Sequence, residues 1–344
     1  MRGWLYARAM RRLLLPLLLL AALWSGAWFY LTGMLRDRFE ATVAAARANG
    51  WVVTAGAPSR AGFPLRAAIV VPDVTGSGGT ALPGAGGVHA SRLVLALAPA
   101  HPTTLAIALP DGFEVLAEGG APIAVRARRL VGVAPLVGPP RVSVEATDLV
   151  AARAAGAGLA AAHARLWLAP RGPDLGFRVA ATDVRLPPGD WPLGPRIASV
   201  LAVGTAGGAL AAPPANGVRG TVGWLQAWRD RGGSLTLTRL ALGWGPLSLS
   251  GEGSAALDAA LQPQAQGRLA VRGYEEALAA MAKAGFVAPG SALAAGFALG
   301  LLARPGKDGA PPEIDVTAAL RGGRLTIGGV DLGPVAKLSW PATP

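Results

Sequence analysis

Residues Gly156 to Ala161 read GAGLAA, the G-x-G-x-x-G/A spacing with which a glycine-rich turn brings backbone N–H groups against a pyrophosphate. Asp174 stands close to where an acid would hold the ribose of a dinucleotide. That chemistry requires a buried parallel strand feeding a helix through the turn. Here the tract is rich in alanine and the strands around it alternate, so the expected structure is a glycine-rich turn or helix break, with no cofactor. His89, His101 and His163 are the only histidines, and none has a second histidine or an acid at i+3 or i+4. No metal site is expected. The nearest approach to a nucleophile elbow is GEGSA at Gly251, which lacks the closing glycine. Glu275 and Glu276 are adjacent, but neighbouring helical positions point about 100° apart and cannot flank one scissile bond. They suit the first turn of a helix. These absences point away from an enzyme; an envelope hydrolase would need a carboxylate pair or Ser-His contact that the residues do not disclose.

The chain has no cysteine, which excludes a disulfide framework and thiolate metal ligands. Its formal charge is +12, almost entirely arginine, with Lys283, Lys307 and Lys337 as the few lysines. A basic surface attracts anionic headgroups or nucleic acid. The arginines, however, form no run with interleaved aromatics, so no nucleic-acid partner is expected.

Location frames every other reading. Leu13 to Leu35 is uncharged and long enough, at about 1.5 Å per residue, to cross a hydrocarbon core of about 30 Å. Arg2, Arg8, Arg11 and Arg12 precede it without an acid, whereas Arg36, Asp37, Arg38 and Glu40 after it nearly cancel. The positive-inside bias therefore predicts a single-pass inner-membrane anchor, with the N-terminus cytoplasmic and the bulk periplasmic. A cleaved signal peptide is the rival. It would have a shorter apolar core and an A-x-A site, which is missing ahead of Trp24, Trp28, Phe29 and Tyr30, aromatics suited to an interfacial belt.

The elements beyond the anchor predict an α+β fold, mostly β: an N-terminal transmembrane helix followed by curved antiparallel sheets with a few packed helices. The expected organisation is a cytoplasmic tip and anchor over 1–35, a juxtamembrane helix and first β-rich region over 36–186, a Pro/Gly-rich helical connection over 187–233, and a second β-rich region with helices over 234–344. Leu35 to Gly50 continues the span as a helix that Gly50 can end. The period then becomes two. Leu93, Leu95 and Leu97 share one strand face, and Leu105, Ile107 and Leu109 another. Ile123 and Val125, then Val142 and Val144, repeat the alternation against charged neighbours, which favours antiparallel strands with one wet face. The connection carries two expected short helices, PRIASVLAV and GWLQAWRDR, the second with Trp224, Leu225 and Trp228 on one stripe. Strands resume in SLTLTRLAL, PLSLSGEG and QGRLAVRG. YEEALAAMAKAGF aligns Tyr274, Leu278 and Met281 on a helix, and Ser291 to Ala303 is expected as a buried helix. Gly322 and Gly323 between two alternating runs predict a closing hairpin.

The stretch SRAGFPLRAAIVV, from Ser59, reads as a chain-turning device that starts a sheet. Gly62 permits a conformation closed to other residues, Pro64 pushes Phe63 toward extended geometry, and Leu65, Ala67, Ile69 and Val71 are expected on one strand face. Phe63 is expected to seal the sheet base against the juxtamembrane helix. Arg60 and Arg66 would meet lipid phosphate or an acid such as Asp73.

These blocks, with LALGWGPLSLSGEGSAALDAALQPQAQGRLAVRG and GGRLTIGGVDLGPVAKL in the same order downstream, make the chain resemble domain-of-unknown-function family 2125, the uncharacterised envelope proteins of alphaproteobacteria. The resemblance covers nearly the whole chain. It implies a periplasmic protein anchored in the inner membrane and, more distantly, AsmA-like proteins whose curved sheets are thought to hold or conduct lipids. It brings no catalytic residues. The expected function is lipid binding, transfer or envelope maintenance, with membrane lipid as partner on an apolar groove containing Leu93, Leu95, Leu97, Leu105, Ile107 and Leu109. The alternative is a scaffold that binds an envelope protein partner through its sheet edges.

Overall fold

The computed structural model describes residues 3–340 except 49, 78–84, 99, 118–120, 154–155, 157, 209–219, 302, 305–311 and 339. The side chains of 3–18, 85, 117, 220 and 221 also lie outside the described residues. So do Arg2, Ala157 and Lys307, the side chains of Arg8, Arg11 and Arg12, and the first positions of the uncharged run.

Helix α1, Gly3–Ala48, runs unbroken through the uncharged segment and the expected juxtamembrane helix. It ends where Gly50 adopts φ 83°. The Gly50 N–H then reaches Arg47 O and the Trp51 N–H reaches Ala46 O, both at 3.1 Å, which satisfies carbonyls the last turn would otherwise leave open. Among the described residues, no helix is long and apolar enough to cross a membrane.

Strands follow almost without interruption: β1 Val52–Thr54, β2 Ser59–Ala61, β3 Ala67–Ser77, β4 Ala85–Ala98, β5 His101–Ala108, β6 Phe113–Ala117, β7 Ile123–Arg126, β8 Arg129–Pro135, β9 Val142–Arg153, β10 Leu159–Arg171, β11 Asp174–Arg185 and β12 Arg196–Ala206. Helix α2, Gly220–Asp230, leads into β13 Ser234–Trp244, β14 Leu247–Leu257 and β15 Pro263–Arg272. Helices α3 Tyr274–Lys283 and α4 Pro289–Gly300 precede β16 Glu313–Arg321, β17 Arg324–Ile327 and β18 Val330–Pro334. All described strands belong to one antiparallel sheet. The fold is thus mostly β, with an N-terminal helix and a few packed helices. From β8 onward the sheet mainly adds each strand beside its predecessor, as short hairpin connections demand.

The expected helix PRIASVLAV is instead strand β12, paired with β11 on one side and β13 on the other. Beyond Arg196 only Ser199 is polar in that stretch and both faces carry apolar residues, so periodicity does not separate strand from helix there; the β-branched Ile197, Val200 and Val203 and two long neighbouring strands decide it. The sheet therefore continues through the segment expected as a helical connection. GWLQAWRDR does form α2, with Trp224 and Trp228 stacked at 6.2 Å. The expected closing hairpin forms with Gly322 at φ 56° and Gly323 at φ 74° between β16 and β17, the backbone that a two-residue turn of matching twist needs.

Two clusters form the core. At one end of the sheet, Leu35 of α1 packs with Ile69, Val71, Leu95 and Leu97, joined by Leu31, Met34 and Phe39. At the other end, Tyr274 and Leu278 of α3 and Ala292, Ala295 and Leu299 of α4 pack on Val271, Ile314 and Val316. Helix α4 is not wholly buried as expected: Leu293, Phe297 and Leu301, at helical spacing, are exposed.

Candidate functional site

Residues directly opposite one another on neighbouring strands lie on the same face of a sheet, so the register traces each face across the molecule. One row runs Ile69, Leu95, Ile107, Gly132, Val144, Leu166, Val179, Ala202, Leu240, Gly251, Leu269 and Val316. Every member is apolar or glycine. The row beside it runs Leu130, Ala146, Ala164, Ala181, Val200, Leu242, Leu249, Val271 and Ile314, again without a polar side chain. The bulge between Val203 and Gly204 keeps Leu237 on this face together with Leu240.

Helices α1, α3 and α4 cover this face at its ends, and α2 bridges from β4 to Gly207, just past β12. Helix α1 lies on Ile69, Leu95 and Leu97, while α3 and α4 lie on Leu269, Val271, Ile314 and Val316. Between them, Val144, Leu166, Leu168, Phe177, Ala202 and Leu240 are only partly shielded, and Val179 is 39% exposed. An apolar surface shared by five consecutive strands, β9 to β13, thus lies open among the described residues. Contiguous exposed apolar area of this kind marks a surface that meets another apolar body.

The opposite face carries charged side chains across β9 to β13. Trp167, Arg178, Val203 and Arg239 form one of its rows. Arg165 and Glu145 pair across β10 and β9 at 3.3 Å with both side chains largely exposed, a geometry worth about 0–1 kcal/mol. A depression of 530 Å³ opens here beside Glu145, Arg165, Trp167 and Arg178, and another of 500 Å³ beside Glu252, Arg268 and Asp315. Asp315 is held by Arg304 at 2.9 Å. Neither depression brings a nucleophile against a base.

The residues singled out for chemistry are dispersed. The GAGLAA tract falls at the turn joining antiparallel β9 and β10, so no helix receives a phosphate there. His89 Nδ1 meets Thr75 Oγ1 at 3.0 Å across β4 and β3, an ordinary cross-strand contact. His101 and His163 are exposed on separate strands, and among the described residues no three His, Asp or Glu side chains gather as metal ligands. Glu275 and Glu276 occupy the first turn of α3. Burial, then the neighbouring Glu275, pushes the Tyr274 phenol above its ordinary range.

Of the expected groove residues, Leu95 and Leu97 are buried beneath α1, with Leu93, Leu105 and Ile107 partly buried beside them; Leu109 follows β5, partly exposed. They belong to the covered end of the apolar face. The open stretch lies further along, at Leu166, Val179 and Leu240, which come from three separate segments. The available signal was the alternation of Leu166 and Leu168 with Arg165 and Trp167, and of Phe177 and Val179 with Arg178.

Gly62 has φ 86° in the turn between β2 and β3. A Cβ there would lie 2.7 Å from both Arg66 O and Arg66 Cγ. Phe63 meets the Trp28 ring edge-on at 5.4 Å, in the segment expected as the anchor and not in the juxtamembrane helix, and is 55% exposed, so the expected seal does not form. Leu65 does not join the strand face: it lies in the turn, 82% exposed, and β3 begins at Ala67. The Phe63–Pro64 bond is cis. Arg66 makes no ion pair with Asp73, and the Arg60 guanidinium lies 5.4 Å over the Phe29 ring.

No curated protein and no solved structure matches the chain. The family model described as an uncharacterized protein conserved in bacteria (DUF2125) matches residues 28–336, from the docked half of α1 to the last strand, and the chain belongs to that family.

Proposed function

We propose that this is a non-catalytic, membrane-anchored protein of the bacterial envelope that holds lipid acyl chains against the open apolar face of its sheet. The observation that carries this reading is the apolar row from Val144 to Leu240, uncovered between the two helix-covered ends. An aliphatic surface with no hydrogen-bonding side chain along it suits a hydrocarbon chain and gives a polar ligand nothing to pair with.

A curled sheet would make the face a trough. Strands β4 and β12 are six strand spacings apart in the sheet order, about 29 Å if flat at about 4.8 Å per spacing. Yet α2, about 16 Å long at about 1.5 Å per residue, touches β4 while its Trp228 Nε1 donates to Gly207 O, just past β12, at 2.7 Å. A curled sheet brings both within ordinary reach. The anchor reading is supported by the sequence, where the uncharged run Leu13 to Leu35 follows four arginines; the described side chains of α1 begin at Leu19, and no helix among the described residues is by itself long and apolar enough to cross a membrane.

The test is phospholipid copurified with the full chain in mild detergent, measured by mass spectrometry for the parent and for a Leu166→Glu/Val179→Glu variant. The parent is expected to retain phospholipid and the variant to lose most of it while melting as a folded protein. A parent without lipid above a detergent blank, or a folded variant that keeps as much, overturns the reading.

A further inference from the structure

We propose that the turn Phe63-Pro64-Leu65 is inserted into the bilayer beside α1, so that the sheet base and the helix form one two-part membrane foot. This rests on the anchor reading and deepens it. Among the described residues, helix α1 first meets the domain at Trp24, whose Nε1 donates to Pro64 O at 2.6 Å, and next at Trp28, whose Nε1 donates to Arg66 O at 3.0 Å. From Leu31 to Phe39 it packs on the sheet. Only Leu13 to Leu23 precede these contacts without a charge, a rise of about 16 Å at about 1.5 Å per residue. A hydrocarbon core of about 30 Å needs about nine residues more, which extends the immersed segment to about Thr32. The turn is bonded to the helix at Trp24 and Trp28, inside that segment. It must enter the apolar layer with it.

The chemistry of the turn fits that depth. Phe63 and Leu65 are exposed, and so are Leu23, Phe29 and Tyr30 on the neighbouring helix. Irregular backbone enters hydrocarbon at a cost that falls with each polar group satisfied. The two indole N–H groups occupy the carbonyls of Pro64 and Arg66, the Arg66 N–H reaches Gly62 O at 2.9 Å, and Pro64 has no N–H. The Thr32 hydroxyl, fully buried, returns to Trp28 O at 2.9 Å. No acid occurs between Glu40 and Asp73 to repel anionic headgroups, and Arg60 and Arg66 flank the turn on flexible stems able to reach phosphate.

The absence of native cysteine permits a direct test on the full chain. Leu65→Cys, Leu23→Cys and Ser248→Cys, each carrying one polarity-sensitive fluorophore, are reconstituted into phosphatidylethanolamine/phosphatidylglycerol vesicles with and without a doxyl-labelled phospholipid quencher. Ser248, exposed on β14, is the aqueous reference. The labels on Leu65→Cys and Leu23→Cys should both lose most of their fluorescence to the quencher, and that on Ser248→Cys should keep it. Quenching of Leu23→Cys with Leu65→Cys behaving like Ser248→Cys overturns the inserted turn while leaving the anchor intact. Quenching of neither overturns the anchor and the insertion together.

Discussion

The indole of Trp28 joins the N-terminal helix to the sheet: its Nε1–H donates to the carbonyl of Arg66 at 3.0 Å, and the ring is 7% exposed. One side chain thus fixes both the angle of α1 and the end of the turn that begins β3. Trp28→Phe, which removes the donor and leaves a ring, should cost about 1–3 kcal/mol. Trp28→Ala adds a cavity and should cost about 3–5 kcal/mol. Thermal unfolding of the full chain in detergent checks the order; equal melting of parent and Trp28→Ala would mean that the helix is not docked.

Gly62→Val should destabilise by about 1–3 kcal/mol, because φ 86° disfavours a β-branched residue and its Cβ would strike the Arg66 carbonyl. Arg66→Ala, at an exposed unpaired side chain, should stay within about 0.5 kcal/mol. The same melting experiment compares them. A reversed order would assign the stretch to binding and not to turning the chain.

The β character, the alternating strands, the closing hairpin and the helix beginning at Tyr274 were legible because their periods are clean. The turn at Gly62 was legible because glycine before Phe-Pro has few other uses. Strand β12 was not, since Ile197 to Val203 has Ser199 as its one polar residue and only its partners distinguish strand from helix. The exposure of Phe297 was hidden for a related reason: a helix without polar residues does not declare which side is covered. The open surface escaped because it belongs to no single segment; Leu166, Val179 and Leu240 become neighbours only through the registers of β10 to β13.

Alkaline pH should loosen the α3 end of the sheet. Tyr274 is buried, and its phenol is held above the usual value by burial first and by Glu275 next. The folded state therefore keeps this proton after the unfolded chain has released it. Stability from this group is complete below the unfolded value of about 10 and declines as pH rises through the folded one. Tyr274→Phe should flatten that decline in melting temperatures taken upward from about pH 9; an unchanged alkaline limb would place its origin in another group.

The central claim is that one face of the sheet meets acyl chains and the other meets water. Val179 and Val133 are matched in exposure, at 39% and 37%, but lie on opposite faces: Val179 between Leu166 and Ala202, Val133 between Ala106 and Ser143. A photo-reactive benzoylphenylalanine placed at either position in the full chain, irradiated in cells and analysed by mass spectrometry, separates them directly. Phospholipid adducts at position 179 and none at 133 are predicted. Equal labelling at the two positions, or none at 179, would contradict the account.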